Sequence, residues 1–235
     1  MKFRIIYLSL IFFNTGWSQI NISWKGDDLS SFDYKPDSLY SDWKKYNSSI
    51  SLLQAEAFRN SFLEFSIDSV QTIDSLNFNV FVTKGPIYTW ESITINNKGP
   101  KAPEYITDKW DSELVSASDL SNRFDKIITY FQNNGYPFTK VQLEEITSNK
   151  NKISATLNTI TGPKIVWDTL DIVGDLKLKK YFLSNYLGIK KGQPYDERLL
   201  KSISKKLNEL PFVTLENKPK IFFYKNKAFI TLNLK

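Results

Sequence analysis

The side chains that most often carry out acid–base, nucleophilic or metal chemistry are missing here, because the 235-residue sequence contains no histidine and no cysteine. It therefore has no Ser-His-Asp or Cys-His arrangement, and the commonest zinc ligands are absent. Composition does not exclude a catalytic serine–lysine pair or a catalytic pair of carboxylates. The candidate carboxylate pairs are Asp27-Asp28 and Glu144-Glu145. Adjacent carboxylates in a strand point to opposite faces of a sheet. We expect a protein that is not an enzyme, with no catalytic residue, no metal and no cofactor.

The clearest pattern in the sequence is an internal repeat. Residues 84–95 align without gaps onto residues 161–172, 77 positions later, and residues 151–158 recur as 226–233. Two offsets this similar, 77 and 75 positions, are typical of small structural units in tandem. A tandem array of such units has a shape suited to holding other chains.

Turn residues divide this repeat into units. Gly85-Pro86 and Gly162-Pro163 each follow a predicted strand, and such pairs mark turns. In chain order, we expect a signal peptide at 1–18, a divergent first unit at 19–86, a second unit at 87–163 and a third unit at 164–235.

The third unit shows the order of its elements most clearly. A β-rich run stops at Gly174-Asp175, and two amphipathic segments follow, one ending at Gly188 and one lying between Pro194 and Pro211. Glycine suits a left-handed helix cap, and a helix usually stops before a proline. Two strands then close the unit, which gives the order β-α-α-β-β.

The other two units are predicted to follow the same order. The first helix of the second unit is placed within 103–114, and the first unit has a helical region between Leu39 and Asn60. The expected fold class is α+β, with three tandem units in an extended array, each a small mixed three-stranded sheet covered by two helices. Trp90 and Trp167 occupy equivalent positions in two units, which favours packing over partner binding for both.

The N-terminal segment has the three parts of a secretory signal. Lys2 and Arg4 precede a short apolar stretch, and small residues follow it at a plausible cleavage point before Gln19. No later segment approaches the roughly 20 consecutive apolar residues that a transmembrane helix needs. We expect the mature chain to begin at Gln19 and to be soluble outside the cytoplasm.

Charge is distributed unevenly along the chain. Residues 19–163 carry a net charge of −4, whereas residues 164–235 contain 15 basic and 7 acidic residues, a net charge of +8. This asymmetry directs the third unit toward an anionic membrane surface or an acidic partner, and the alternative is an ordinary solvated face. Nucleic acid is an unlikely partner for a secreted chain. The candidate contact residues are Lys177, Lys179, Lys180, Lys190, Lys191, Lys205 and Lys206.

Tandem β-α-α-β-β units behind a signal peptide resemble the polypeptide-transport-associated (POTRA) domains of the BamA/TamA superfamily of outer-membrane assembly proteins. The resemblance covers essentially the whole mature chain. It rests on Asn134-Gly135-Tyr136 before a strand, on Glu209-Leu210-Pro211-Phe212-Val213 and on the tract 220–228. Family members usually continue into a membrane β-barrel, whereas this sequence stops at Lys235. That departure indicates a stand-alone periplasmic array, a truncated member or a fragment.

The resemblance implies binding of unfolded outer-membrane proteins, docking of periplasmic lipoprotein partners, and possible contact with the inner face of the outer membrane or with a barrel protein. The expected mode is strand addition, because the penultimate strand of such a unit has one open edge. The candidate edge residues in the third unit are Phe212, Val213, Thr214, Leu215, Ile221, Phe222, Phe223 and Tyr224, and those in the second unit are Phe138, Lys140, Val141 and Leu143.

Two alternatives stay open. Pro219 either protects the edge of the third unit from aggregation or simply ends one strand before another. The whole array is either a binder of many unfolded clients or a structural scaffold for one dedicated folded partner of the cell envelope.

Overall fold

The computed structural model describes residues 19–106, 113–176 and 178–235. The predicted signal peptide therefore lies outside the described residues. The chain forms two compact bodies, one that ends at Ile87 and one that spans Tyr88–Lys235. Within the described ranges, no helix has the length and apolar character needed to cross a membrane.

The first body contains one four-stranded sheet and one α-helix. Its elements are β1 (Ile20–Gly26), β2 (Leu39–Tyr40), α1 (Trp43–Arg59), β3 (Ser66–Thr72) and β4 (Asn77–Thr83), with strand order β2-β1-β4-β3. Strand β1 pairs parallel to β4, and the other two pairings are antiparallel.

This first sheet departs from the expected three strands and two helices. A loop takes the place of one helix and contributes Phe32 to the core, where it contacts Phe65. The buried Glu56 of α1 holds this loop, since its carboxylate accepts a hydrogen bond of 2.9 Å from the backbone N–H of Asp33 and also pairs with Arg59.

The second body begins with a three-stranded sheet. Its elements are β5 (Thr89–Lys98), a 3-10 helix (Glu104–Ile106), α2 (Ala117–Gln132), β6 (Lys140–Asn149) and β7 (Lys152–Ile160), with strand order β5-β7-β6. Strand β5 is parallel to β7 and β6 is antiparallel to it. Within 103–114, where the sequence predicts a helix, the described residues form the 3-10 helix Glu104–Ile106, and residues 107–112 lie outside the described ranges.

The remaining sheet of the second body matches the predicted order in full. Its elements are β8 (Val166–Val173), α3 (Lys180–Leu187), α4 (Glu197–Asn208), β9 (Lys220–Tyr224) and β10 (Lys227–Asn233), with strand order β8-β10-β9. Helix α3 ends at Gly188 in the left-handed conformation, and the Asp196 side chain caps α4. These local signals are strong because each satisfies orphan backbone groups or a special backbone angle.

The tryptophans of β5 and β8 occupy the same place in the two sheets. The backbone N–H of Trp90 donates to the carbonyl of Glu113, and that of Trp167 donates to the carbonyl of Gln193, both at 2.8 Å. Both side chains are buried. Trp90 and Trp167, which are equivalent in the sequence repeat, therefore pack in equivalent positions of the two sheets.

The two sheets of the second body are joined by a hydrogen bond and by a line of aromatic contacts. The backbone N–H of Ile165 donates to the carbonyl of Gly135 at 2.7 Å. The Phe138 and Phe223 rings meet edge to face with centroids 4.9 Å apart, and Phe223 also contacts Tyr195 at 5.6 Å. A residue near the start of β6 thus packs directly on the penultimate strand of the following sheet.

Candidate partner-binding edges

The penultimate strand of each unit lies at an edge of its sheet, as the predicted topology requires. In all three sheets the last strand of the unit, β4, β7 or β10, is flanked by two neighbours. The penultimate strands β3, β6 and β9 each have a single strand neighbour within the described chain. Their outer backbone groups are therefore available to an added strand.

The edge strand of the last sheet is shorter than the sequence predicted. Thr214 exchanges backbone hydrogen bonds of 2.7 and 2.9 Å with Lys235, and Leu215 forms an isolated bridge with Leu234. Phe212 and Val213 precede this pairing in a turn after α4, so their assignment to the edge strand was wrong.

The regular edge strand then begins after Pro219. Ile221, Phe222, Phe223 and Tyr224 all lie in β9, as predicted. Pro219 lies between the Leu215 bridge and β9, so it separates two paired segments and is not inside a strand.

Three of the four edge residues predicted in the second unit lie in its edge strand. Lys140, Val141 and Leu143 belong to β6. Phe138 precedes the strand and packs against Phe223, so its assignment to the edge was wrong. The reason is tertiary, since nothing in the sequence near Phe138 reveals a partner 85 positions away.

Bulges interrupt two of the three edges. The pairing of β6 shifts register between Glu144 and Thr147, and the pairing of β3 shifts between Ile67 and Ser69. Bulges bend a strand and increase its twist, which hinders the addition of a further strand. The pairing of β9 with β10 has continuous register along its whole length.

The bulge in β6 also corrects the expectation for the paired carboxylates. Glu144 accepts a hydrogen bond of 2.9 Å from the amide of Asn158, and Glu145 accepts one of 2.8 Å from the hydroxyl of Thr156. Asn158 and Thr156 are two positions apart in β7 and so share a face of the sheet. Both carboxylates therefore lie on one face, where they are engaged by polar neighbours.

The faces beside β6 and β9 differ in chemistry. Phe222 and Tyr224 alternate with the core-facing residues of β9 and are 55% and 59% exposed. Phe222 stacks on Phe229 of β10 with centroids 4.7 Å apart. The matching face of β6 carries Gln142 and Glu144, which hydrogen-bond to each other. One edge is thus bordered by aromatic rings and the other by amides and carboxylates.

The candidate lysines are spread over several places in the last unit. Lys177 lies outside the described residues, Lys179 and Lys180 are at the start of α3, Lys190 and Lys191 follow that helix, and Lys205 and Lys206 are in the last turn of α4.

Some of these lysines already have partners. Lys180 forms an ion pair of 2.5 Å with Asp171, and Lys191 lies 3.5 Å from Asp168. Lys206 donates to the carbonyl of Leu187. Lys179, Lys190 and Lys205 are exposed and make no ion pair with any described residue, so these three are available to an external anion.

The Asp168 carboxylate lies between two lysines of this basic unit, Lys191 and Lys227. The Thr169 hydroxyl and the Lys227 ammonium group, which is 3.0 Å away, hold the pKa of the Asp168 carboxyl below its usual value. Nearby, burial raises the pKa of the Tyr195 hydroxyl, which also donates to Glu197. Asp168 thus stays ionised and helps to join the edge strand β8 to the central strand β10.

Small mixed sheets with a central last strand, repeated along one chain, define a tandem array of POTRA-fold units. The comparisons agree with this class. The chain is similar to the crystal structure of POTRA domains 3–5 of BamA from Haemophilus influenzae, with 14% identity and a TM-score of 0.56, covering 93% of this chain and 96% of that one.

Two further solved structures are also similar. BamA from Haemophilus ducreyi lacking POTRA domains 1–3 matches at 15% identity and a TM-score of 0.52, and the match covers 63% of this chain and 29% of that one. POTRA domains 1–3 of Omp85 from Anabaena match at 12% identity and a TM-score of 0.37 over 92% of this chain and 93% of that one. No protein-family model matches the sequence, and no curated protein matches it significantly. The shared feature is the POTRA fold.

Proposed function

We propose that this chain is a non-catalytic periplasmic POTRA array that binds unfolded outer-membrane proteins or their assembly partners during outer-membrane protein assembly or transport. The observation that carries this proposal is the single-neighbour penultimate strand in each sheet. The likeness of the fold to BamA POTRA domains supports the setting. The unpaired backbone supports the mode of binding, because strand addition works without a fixed side-chain sequence.

The geometry of the β9–β10 hairpin indicates which backbone groups face a client. Its two turn residues, Lys225 and Asn226, both have positive φ, at 46° and 60°, which is the type I′ turn of a two-residue hairpin. The flanking pair Tyr224 and Lys227 is then hydrogen-bonded within the hairpin, and the pattern alternates along the strand. Ile221 and Phe223 therefore direct their N–H and C=O groups toward the free edge.

A proline at the outward-facing position tests strand addition. The variant Ile221→Pro removes one outward N–H and places a ring at the edge, whereas Ile221→Ala removes the same side chain and keeps the N–H. We expect Ile221→Pro to bind a urea-unfolded outer-membrane barrel protein about tenfold more weakly than Ile221→Ala, since one backbone hydrogen bond and close approach are lost. Fluorescence anisotropy with the chain from Gln19 to Lys235 measures this difference. Equal affinities of the two variants would contradict strand addition.

Lysines without ion pairs support a contact of the last unit with an anionic surface. Lys179, Lys190 and Lys205 contribute to a net charge of +8 in residues 164–235. Exposed lysines are attracted to anionic lipid within about one Debye length. Co-sedimentation with vesicles containing phosphatidylglycerol is expected to fall when the three lysines are changed to glutamine. Unchanged sedimentation would show that these lysines form an ordinary solvated surface.

One observation favours the alternative, a scaffold for a single folded partner. Helix α3 presents Tyr181, which is 80% exposed, and Phe182 on its outer side. Exposed aromatic side chains are frequent anchors of specific interfaces. Under this alternative, Tyr181→Ala abolishes capture of one stoichiometric partner from crosslinked envelopes, whereas under strand addition different clients compete with one another and Tyr181→Ala has little effect.

A further inference from the structure

We infer that β9 is the preferred client edge of the second body and that it selects an extended segment with two alternating aromatic or large apolar side chains followed by an acidic one. This inference rests on the proposed function, because it assumes that clients add as strands. The inference goes beyond the proposed function because it assigns one edge of the chain and one side-chain pattern to the client.

The register of the two edges limits the length of an added strand. An added strand follows the register of the strand that it joins, so a bulge in the host edge breaks the ladder after a few bonds. In β6 the break falls between Glu144 and Thr147, where Glu145 also has a positive φ of 51°. Five continuous pairs, Lys140 to Glu144, precede that break, and β9 also offers five, Lys220 to Tyr224. An added strand of five residues fits either edge, so the side chains beside the edge decide between them.

The open face of β9 supports the aromatic part of the pattern. Side chains of an added strand lie beside those of its neighbour on the same face, within reach of aromatic pairing. On this face, Tyr224 and Phe222 alternate along β9, and Phe229 stacks behind Phe222. Both rings are more than half exposed, so they can pack against apolar side chains of an added client strand.

The other end of β9 supports the acidic part. Lys220 is the next residue on the same face, and it borders a cavity of about 130 Å³ lined by Val173, Asn217, Lys218, Lys220, Thr231 and Asn233. Lys218 and Lys220 give this end of β9 a positive charge, which attracts a carboxylate. The residue of the client that lies beside Lys220 is therefore expected to be aspartate or glutamate.

The order of the pattern follows from the inference that the client, like β10, pairs antiparallel with β9. In an antiparallel addition, client residue i lies beside Tyr224, residue i+2 beside Phe222 and residue i+4 beside Lys220. The open face of β6 also carries a lysine, Lys140, but Gln142 and Glu144 stand where β9 has Phe222 and Tyr224. The edge of β6 therefore lacks the aromatic neighbours against which this segment would pack.

Synthetic peptides test the inference directly. The probe is the seven-residue peptide Thr-Phe-Thr-Tyr-Thr-Glu-Thr. Its first matched control replaces both aromatic residues with serine, and its second replaces glutamate with lysine. Binding to the chain from Gln19 to Lys235 is measured by fluorescence anisotropy at low ionic strength. We expect each control peptide to bind at least fivefold more weakly than the probe.

Variants of the chain locate the site. Phe222→Ser is expected to weaken probe binding about fivefold, whereas Phe212→Ser, which changes a residue of equal exposure outside β9, leaves it unchanged. Lys220→Glu is expected to remove the preference for glutamate over lysine in the peptide, and Lys205→Glu on α4 keeps that preference. Circular dichroism confirms that each variant is folded.

The possible outcomes separate this inference from the proposed function. If Ile221→Pro weakens client binding but the three peptides bind equally, strand addition holds and the selectivity of β9 is wrong. If Phe222→Ser and Phe212→Ser behave alike, the assignment to β9 is wrong. If no peptide binds and Ile221→Pro also has no effect on the unfolded barrel protein, both proposals are overturned.

Discussion

The contact between Phe138 and Phe223 provides a quantitative test of how the two sheets of the second body are joined. The rings meet at 4.9 Å with an interplanar angle of 73°. Phe138 is 44% exposed, so slightly more than half of its surface is buried. A fully buried phenylalanine covers about 200 Å². Burial of half that area contributes about 2.5 kcal/mol at roughly 25 cal/mol per Å².

The edge-to-face geometry adds about 1 kcal/mol that exists only while both rings are present. Phe138→Ala is therefore expected to lower the free energy of unfolding by about 3 kcal/mol. In a double-mutant cycle with Phe223→Ala, the coupling energy is expected to be about 1 kcal/mol. The control Phe212→Ala changes a phenylalanine of similar exposure outside this junction; it is expected to cost about 2 kcal/mol from buried area alone and to show no coupling to Phe223→Ala.

Urea unfolding followed by tryptophan fluorescence measures these quantities, because Trp90 reports on the first sheet of the second body and Trp167 on the last. Variants that keep one tryptophan at a time distinguish the two reporters. The wild-type transitions are expected to coincide, and Phe138→Ala is expected to separate them. A coupling energy below about 0.3 kcal/mol, within the error of additivity, would refute the idea that this contact joins the sheets.

Three further predictions concern single positions. Trp167→Phe is expected to lower the free energy of unfolding in urea by about 1 kcal/mol, and Trp167→Ala by about 4 kcal/mol. The buried indole N–H of Trp167 makes no hydrogen bond to any described group, so phenylalanine loses no hydrogen bond there. Gly174→Ala is expected to lower thermal stability far more than Gly192→Ala. Both glycines have positive φ, but a Cβ at Gly174 would collide with the carbonyl oxygen of Leu234, whereas the one at Gly192 meets nothing within 4 Å. Asp168→Asn is expected to destabilise the protein at neutral pH. The lowered pKa of Asp168 gives stability that is present above its unfolded value and lost as the pH falls through the folded one, so unfolding curves of the variant and wild type should converge below about pH 4.

Local signals in the sequence were sufficient for the elements of the last unit. The positions of α3 and α4 follow from Gly188, Asp196 and Pro211, each of which acts through its own backbone or its nearest neighbours. The same signals were weaker in the first unit, where a loop held by the buried Glu56 replaces one of the two expected helices. A carboxylate that accepts hydrogen bonds from a distant loop has no periodic signature.

The repeat of 77 residues determined the order of strands and helices, because periodicity, caps and turns depend on residues that are close together in the chain. Only the tertiary structure showed where the edge strands are interrupted. The register shift in β6, the position of Phe138 on Phe223, and the shared face of Glu144 and Glu145 all depend on pairing between distant segments. A shift of one residue in such a pairing moves side chains to the other face of a sheet. The alternation of apolar and polar residues in the sequence does not show where a bulge causes that shift.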